Sequence, residues 1–380
     1  PRSGDDILMI YTGGTTGMPK GVMWRQDDLI RATCATGLPM LAQDPDAVGG
    51  YDAVMEAIAQ PGLPGLPACP LMHGTGWFTA NIYLTQAGSV VTLVDRTLNV
   101  IELLDTIERE GVGALTIVGD AFAKPILRAL DAEPGRWDLS SLVLMSSSGV
   151  MWSEPVKESL LRHHPGMFLV DAFSSSEAIG LGQSMSAAGA EAKTAKFMLG
   201  ENARVITEEG HDVEPGSGEK GRVAVRGHTP LGYYKDEAKS AATFVMVDGA
   251  RYSIPGDWAT VDADGTINLL GRGSVCINTG GEKVFPEEVE EALKEHPTVY
   301  DAVVVGVPDD KFGEAITAVV EPLPGATLVD ADLIAHVREH LAAYKSPKRI
   351  LPVDSIGRAP NGKVDYARWK GYALEQLGVG

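Results

Sequence analysis

The sequence predicts an α/β protein: a large N-terminal domain of helix-covered sheets that includes a small β-barrel, followed by a smaller α+β C-terminal domain. Three observations predict it. Over the first 200 residues, short β-rich runs alternate with helical periods, the pattern of a mostly parallel sheet covered by helices. From about 200 to 270, β-rich runs separated by Gly, Asp and Pro carry no sustained helical period, which reads as a small antiparallel barrel or sheet. After Gly271-Arg272-Gly273 the texture becomes α+β. The expected division is 1–271, with the barrel at about 200–270, and 272–380.

Taken in order, residues 7–11 form an apolar run that stops at a glycine turn, and this opening reads as a buried strand. Residues 90–94 are a second run. A helix follows, with Asn99 as N-cap, an apolar stripe at Val100, Leu103, Leu104 and Ile107, and Gly111 as its stop. Residues 114–118 and 141–145 read as strands. In the barrel region the strands are 203–206, 222–226 and 266–270. Pro286 suits a first helical turn whose buried face holds Val289 and Leu293. Residues 302–307 and 315–320 are strands, and Leu333, Val337 and Leu341 mark a helix after Asp330.

The chain has 380 residues, 44% hydrophobic and 22% charged, enough for a sizeable core. Its formal net charge of −19 argues against a nucleic-acid or anionic-membrane surface, since both need positive fields. Cys34, Cys69 and Cys276 are too scattered for a disulfide scaffold or a zinc site, so a reducing cytoplasm is expected. No apolar run has the length of a membrane span, and no signal-peptide pattern is present. The chain opens at Pro1, almost directly on a strand and a glycine-rich loop, and the N-terminal part of a longer protein is expected to be missing.

That loop, Tyr11-Thr12-Gly13-Gly14-Thr15-Thr16-Gly17-Met18-Pro19-Lys20-Gly21, holds the most chemistry. Three threonines, four glycines and a lysine lie within eleven residues. Glycines let backbone N–H groups turn towards a ligand, and hydroxyls with an ammonium complete a phosphate cradle. It is not a Walker A loop, because Pro19 precedes Lys20 and Gly21 follows it. Gly216-Ser217-Gly218-Glu219-Lys220-Gly221 matches GxGxxG but precedes a strand, so it is a turn. His163-His164 reads as a helix end, Cys276 as a packed residue, and the acidic run 287–295 as an exposed helix face. Between Tyr344 and Lys370, seven cationic residues face two acidic ones, a local +5 that reads mostly as a solvated basic face.

The glycine loop resembles the phosphate loop of the ANL superfamily of adenylating enzymes: acyl-CoA synthetases, peptide-synthetase adenylation domains and luciferases. Further segments resemble the family's motifs in order. They are Pro70-Leu71-Met72-His73-Gly74-Thr75-Gly76, Ser147-Ser148-Gly149-Val150, Asp171-Ala172-Phe173-Ser174-Ser175-Ser176-Glu177 and Tyr252-Ser253-Ile254-Pro255-Gly256-Asp257. Beyond Gly271-Arg272 come Gly280-Gly281-Glu282-Lys283-Val284-Phe285-Pro286 and Arg358-Ala359-Pro360-Asn361-Gly362-Lys363. The resemblance covers essentially the whole chain. It is closest to actinobacterial-type fatty-acid and steroid-side-chain CoA ligases.

The resemblance implies the ANL fold, truncated at the N-terminus, with a mobile C-terminal domain. It implies that ATP and a carboxylic acid form an acyl-adenylate, which is then transferred to CoA, with Mg²⁺ as cofactor. Catalysis falls to Lys363, Glu177 and Thr15, and Glu177 is also the metal ligand. The nucleotide site comprises Thr12, Gly13, Gly14, Thr15, Thr16, Lys20, Ser148, Gly149, Asp171, Phe173, Ser176, Asp257 and Arg272. The acyl pocket takes Met72, His73, Trp77, Phe78, Ser174, Ile179 and Gly180. CoA would lie along Gly280, Gly281 and Glu282, with Ser274 at the hinge, where the family usually has Asp or Lys. Phe173 stands for the usual Tyr and Ser174 for a Gly. The pocket set is mostly apolar or small and offers no acidic partner for an amino-acid ammonium. Two alternatives remain: an adenylating enzyme with a non-CoA acceptor such as a carrier protein, and a non-catalytic nucleotide-binding homologue.

Overall fold

The computed structural model describes residues 2–12, 19–36, 59, 61–190 and 194–379, the side chains of 35 and 36 excepted. Its strands form three sheets. The largest has 13 strands among the described residues. In its parallel half, Ser89–Val90, Pro64–Pro67, Ala114–Ile117, Leu144–Ser147 and Phe168–Ser175 lie side by side. Phe168–Ser175 then pairs antiparallel with Ala178–Ser186, and the ladder continues through Lys196–Leu199, Thr266–Arg272 and Asp257–Val261. The antiparallel region therefore runs on from the parallel strands through shared hydrogen bonds rather than standing apart as a closed barrel.

Helices cover the parallel half because their apolar stripes have the right period. In Val100–Glu110, Leu103, Leu104 and Ile107 are buried. The Asn99 side chain accepts hydrogen bonds from the N–H groups of Ile101 and Glu102, and Gly111 ends the helix at φ 60°. These residues join Leu66, Leu115, Ile117 and Phe122 in one core. In the C-terminal part, Val299–Asp309 and Gly313–Pro322 form a long antiparallel pair, with Arg349–Pro352 parallel to the second. Pro286 opens the helix Pro286–Lys294, which buries Val289 and Leu293. Helix Asp330–His340 buries Leu333 and Val337.

Several sequence expectations shift. Residues 7–11 belong to strand Ile7–Thr12, which pairs antiparallel with Lys20–Arg25 in a separate three-stranded sheet completed by Gly232–Tyr233. That strand is mostly half-exposed among the described residues; only Ile10 is buried. The run at 141–145 starts its strand at Leu144, and that at 90–94 pairs only through Ser89–Val90. A short helix, Glu237–Thr243, interrupts the antiparallel region, where the Asp236 carboxylate caps the N–H of Lys239.

The acidic run 287–295 is not an exposed face. Glu290 is buried, Glu287, Glu288 and Glu291 are half-buried, and Glu295 is exposed. Positions 287, 290, 291 and 294 follow helical spacing, so these charges share the face that packs inward. Asn99→Ala removes a cap that serves two N–H groups, and should lower unfolding stability by about 1 kcal/mol in urea titrations. Leu103→Ala, fully buried, should cost roughly 2–5 kcal/mol.

Candidate active site

Two adjoining cavities share Ser148, Gly149, Ala172, Ser174, Arg272 and Lys363. Both lie at the C-terminal ends of the parallel strands, where the ligand crevice of an open α/β sheet forms.

The first cavity is walled by Asp171, Phe173, Phe197 and Asp257. The Phe173 and Phe197 rings are tilted, 5.4 Å apart. Asp171 is buried against the buried Lys157, with which it forms an ion pair. Burial pushes its carboxyl up to about 6, and Lys157 opposes that rise. Asp257 and Arg272 face each other in the register of one hairpin, with Nε to Oδ1 at 3.3 Å. The other Asp257 oxygen, Oδ2, is buried without a hydrogen-bond partner. An orphaned buried carboxylate oxygen is an acceptor waiting for a donor.

The second cavity is lined by Thr12, Lys20, His73, Phe78, Ser176, Glu177, Ile179, Tyr233 and Ser274. Glu177 sits in the tight turn between Phe168–Ser175 and Ala178–Ser186. Three elements hold that turn. The Trp24 indole donates to the Ser176 carbonyl at 3.0 Å, and the Ser253 hydroxyl donates to the Glu177 carbonyl at 2.6 Å. The Tyr233 hydroxyl donates to Glu177 Oε1 at 2.9 Å. Tyr233 also stacks under the Lys20 ammonium, 5.6 Å from the ring centroid. Its strand pairs with the strand that follows the glycine loop. Nothing local in the sequence marks Tyr233 as a site residue.

Lys363 enters from the C-terminal part on a pinned loop. The Arg358 guanidinium grips Asp301 through Nε at 2.7 Å and a second nitrogen at 2.8 Å, and donates to the Gly362 carbonyl at 3.2 Å. Ala359 and Lys363 bond across the turn, and Asn361 Oδ1 accepts the Lys363 N–H. Gly362 has φ 74°, and a β-carbon there would lie 3.0 Å from Val118 Cγ1, so only glycine lets the loop press on the large domain. Burial first and Arg272 second hold the Lys363 ammonium below the ordinary lysine value, while Glu177 and Asp257 oppose that fall. His73 is held down to about 4, by burial and then by Lys363, and its Nδ1 is buried without a partner. It is therefore neutral at physiological pH.

The cationic stretch 344–370 is thus not simply a solvated face. The half-buried Arg358 pairs with Asp301, and Lys345 with the half-buried Glu288. Partners distant in sequence neutralise them.

Other expected residues fall elsewhere. Met72 is 87% exposed and outside the cavity lining, because it lies in the turn before His73, the N-cap of helix Gly74–Thr85. Trp77 turns to the small core around Ile10 and Trp24 instead. Gly180 also lies outside the lining; its N–H donates to the Ser174 hydroxyl at 3.1 Å, which ties that hydroxyl to local backbone. Gly280, Gly281 and Glu282 form the exposed tip of the hairpin Ile277–Thr279 and Glu282–Val284, away from both cavities. Gly13, Gly14, Thr15 and Thr16 lie outside the described residues.

The junction of the two parts is itself charged. Lys124 of helix Asp120–Ala132 donates to the Tyr300 carbonyl at 2.5 Å, and Arg128 to its hydroxyl at 3.0 Å. Glu287 Oε1 accepts the N–H of Arg272 at 3.3 Å, just past the expected domain boundary. Burial and then the neighbouring Glu290 push the Glu287 carboxyl up to about 8.

Comparison with known proteins identifies the family. Residues 1–234 match the family model described as AMP-binding enzyme, and residues 288–363 match AMP-binding enzyme C-terminal domain. The medium/long-chain-fatty-acid–CoA/3-oxocholest-4-en-26-oate–CoA ligase of Mycolicibacterium smegmatis is 44% identical, over 97% of this chain and 67% of that protein. The 3-oxocholest-4-en-26-oate–CoA ligase of Rhodococcus rhodochrous is 43% identical, over 100% of this chain and 68% of that protein. The solved structure of the amide bond synthetase McbA from Marinactinospora thermotolerans superposes with a TM-score of 0.78 at 25% identity. That match covers 97% of this chain and 69% of that one. The chain spans about two thirds of the length of these relatives.

Glu287 gives a signed pH prediction. Its folded-state value of about 8 exceeds the ordinary 4.5, so its contribution is fully present below 4.5 and is lost as pH rises through 8. Glu287→Gln should therefore raise the melting temperature relative to wild type at pH 8 more than at pH 5, measured by calorimetry.

Proposed function

The chain belongs to the AMP-binding enzyme family, and from that premise we propose that it is an ATP-dependent acyl-CoA synthetase. It joins a carboxylic acid to AMP with release of pyrophosphate, then passes the acyl group to CoA. The observation that carries this reading is the position of Lys363, delivered by the C-terminal part into the seam between the two cavities beside Arg272, Glu177 and Asp257.

The chemical difficulty is the meeting of two anions, an acyl carboxylate and a triphosphate. In this reading the Lys363 ammonium lies between them. Two opposite unit charges ~4 Å apart are worth about 4 kcal/mol at an effective dielectric of 20. Thr12 and Lys20 receive the outer phosphates, together with the glycine loop. Asp257 accepts the ribose hydroxyls, for which its unpartnered Oδ2 is suited, and Arg272 holds Asp257 in place. Phe173 walls the adenine side, next to the turn at Ser148 and Gly149. Asp171 is placed to support that wall through its pair with Lys157. Neutral His73, with Phe78, Ser174 and Ile179, lines the acyl side without adding a cation that would compete with Lys363.

Mg²⁺ fits the donor set. Glu177 offers a hard oxygen ligand, and its carboxylate is already oriented by Tyr233. When bound, the ion supplies positive charge to the departing pyrophosphate. Ser176 completes this edge of the cavity.

A fatty or steroid-side-chain acid is the proposed substrate class. The apolar acyl wall and the activities of the Mycolicibacterium smegmatis and Rhodococcus rhodochrous relatives support it. CoA is the proposed acceptor. The tip Gly280-Gly281-Glu282 lies away from the cavities in this arrangement, so the thioester step requires the C-terminal domain to turn about Ser274. We place the activity in the cytoplasm, consistent with three scattered cysteines. No helix of the described residues is long and apolar enough to cross a membrane.

Lys363→Ala should slow adenylation roughly 10³-fold, measured as ATP–pyrophosphate exchange, yet still transfer a supplied acyl-adenylate to CoA. Equal loss in both half-reactions would contradict the role. Tyr233→Phe keeps the ring and removes the hydroxyl that orients Glu177. It should raise the Mg²⁺ concentration needed for half-maximal exchange while leaving the KM for the acid unchanged.

A further inference from the structure

The helices Pro286–Lys294 and Asp330–His340 pack together in the C-terminal part. Where they meet, Glu295, His336 and His340 bring one ligand-type atom each within 4.8 Å of one another. None of the three lines either cavity. His336 and His340 are four residues apart on one helix, which puts both imidazoles on the same face. Glu295 is supplied by the end of the other helix.

The hydrogen bonds of the rings fix which nitrogens are available. His340 Nδ1 lies 2.8 Å from the His336 carbonyl, and a carbonyl only accepts, so this nitrogen carries the hydrogen. Its Nε2 is left with a lone pair, 3.8 Å from Glu295 Oε2. The His336 Nε2 is buried without a hydrogen-bond partner. This nitrogen is the atom that His336 offers to a ligand. A ring N–H donated to a backbone carbonyl is the usual support of a metal-bound histidine. His296, whose ring lies 5.2 Å from that of His336, is excluded as a ligand through Nδ1, since this atom accepts the N–H of Thr298 at 3.3 Å.

We propose that Glu295, His336 and His340 form a binding site for a divalent transition metal of the zinc type. Metal–ligand bonds of ~2.0–2.1 Å in tetrahedral geometry separate ligand atoms by about 3.3 Å. Small side-chain rotations close the present spacing to that value. Two imidazoles and a carboxylate leave a fourth position for water. Imidazole nitrogen also selects zinc-type ions over Mg²⁺, so this site and the nucleotide site do not compete for one ion. The bound metal would clamp the two helices together. One of them carries Glu287, Glu290 and Glu291 on the cavity side, so the clamp would also stiffen that wall.

The test is titration of the untagged, chelator-treated protein with Co²⁺ in excess Mg²⁺, read by visible absorption. One equivalent should bind with the intense band of a four-coordinate site, and Zn²⁺ should displace it. His340→Gln and Glu295→Gln, at exposed positions, should fold as wild type by circular dichroism and lose the band. No saturable binding, a weak six-coordinate spectrum, or a band that persists in both variants would overturn the proposal.

Discussion

The architecture turns on one half-buried cation. Lys363 gives up much of its hydration on entering the seam between the two cavities, and the fall in its pKa records that cost. What offsets the cost is the presence of Glu177 and Asp257 from the large domain. Neither partner reaches the site through its own segment alone. Glu177 depends on a turn held by Trp24, Tyr233 and Ser253, and Asp257 on a hairpin that sets it opposite Arg272. The fold supplies carboxylates on one side of the seam and delivers an ammonium from the other.

That delivery needs a loop whose shape does not drift. Arg358 fixes it by a two-pronged bond to Asp301 and a third bond to the Gly362 carbonyl. Gly362 then lies flat against Val118, at the end of a central parallel strand. The same junction buries several like charges, with Glu287, Glu290 and Glu291 close together. Such a surface is costly to keep ionised. That would suit a contact that, in the proposed function, forms for one half-reaction and parts for the other.

Much of this was legible in the sequence where the determinants are local. The cap at Asn99, the stop at Gly111 and the stripe between them specify a helix by spacing alone. The order of motifs from Thr12 to Lys363 located many of the polar residues at the seam of the two cavities. What stayed hidden has a common cause. The Tyr233–Glu177 bond joins residues 56 positions apart and carries no local pattern. The acidic run at 287–295 misled because its composition suggested solvent, although its helical spacing placed Glu287, Glu290 and Glu291 on one packed face. The basic stretch near Lys363 misled in the same way, since Asp301 and Glu288 neutralise Arg358 and Lys345 from far along the chain. Met72 and Trp77 fell outside the cavity because a motif does not say which of its side chains point inward.

The account rests on Lys363 acting as a cation whose pKa is held below the ordinary lysine value. The pH profile of ATP–pyrophosphate exchange tests that most directly. The rate should fall on the alkaline side, at a pH below that at which a free lysine loses its proton. In Lys363→Arg, which keeps its charge, the fall should move to higher pH, whereas in Glu287→Gln it should stay in place. A fall that does not move in Lys363→Arg, or that moves only in Glu287→Gln, would contradict the account.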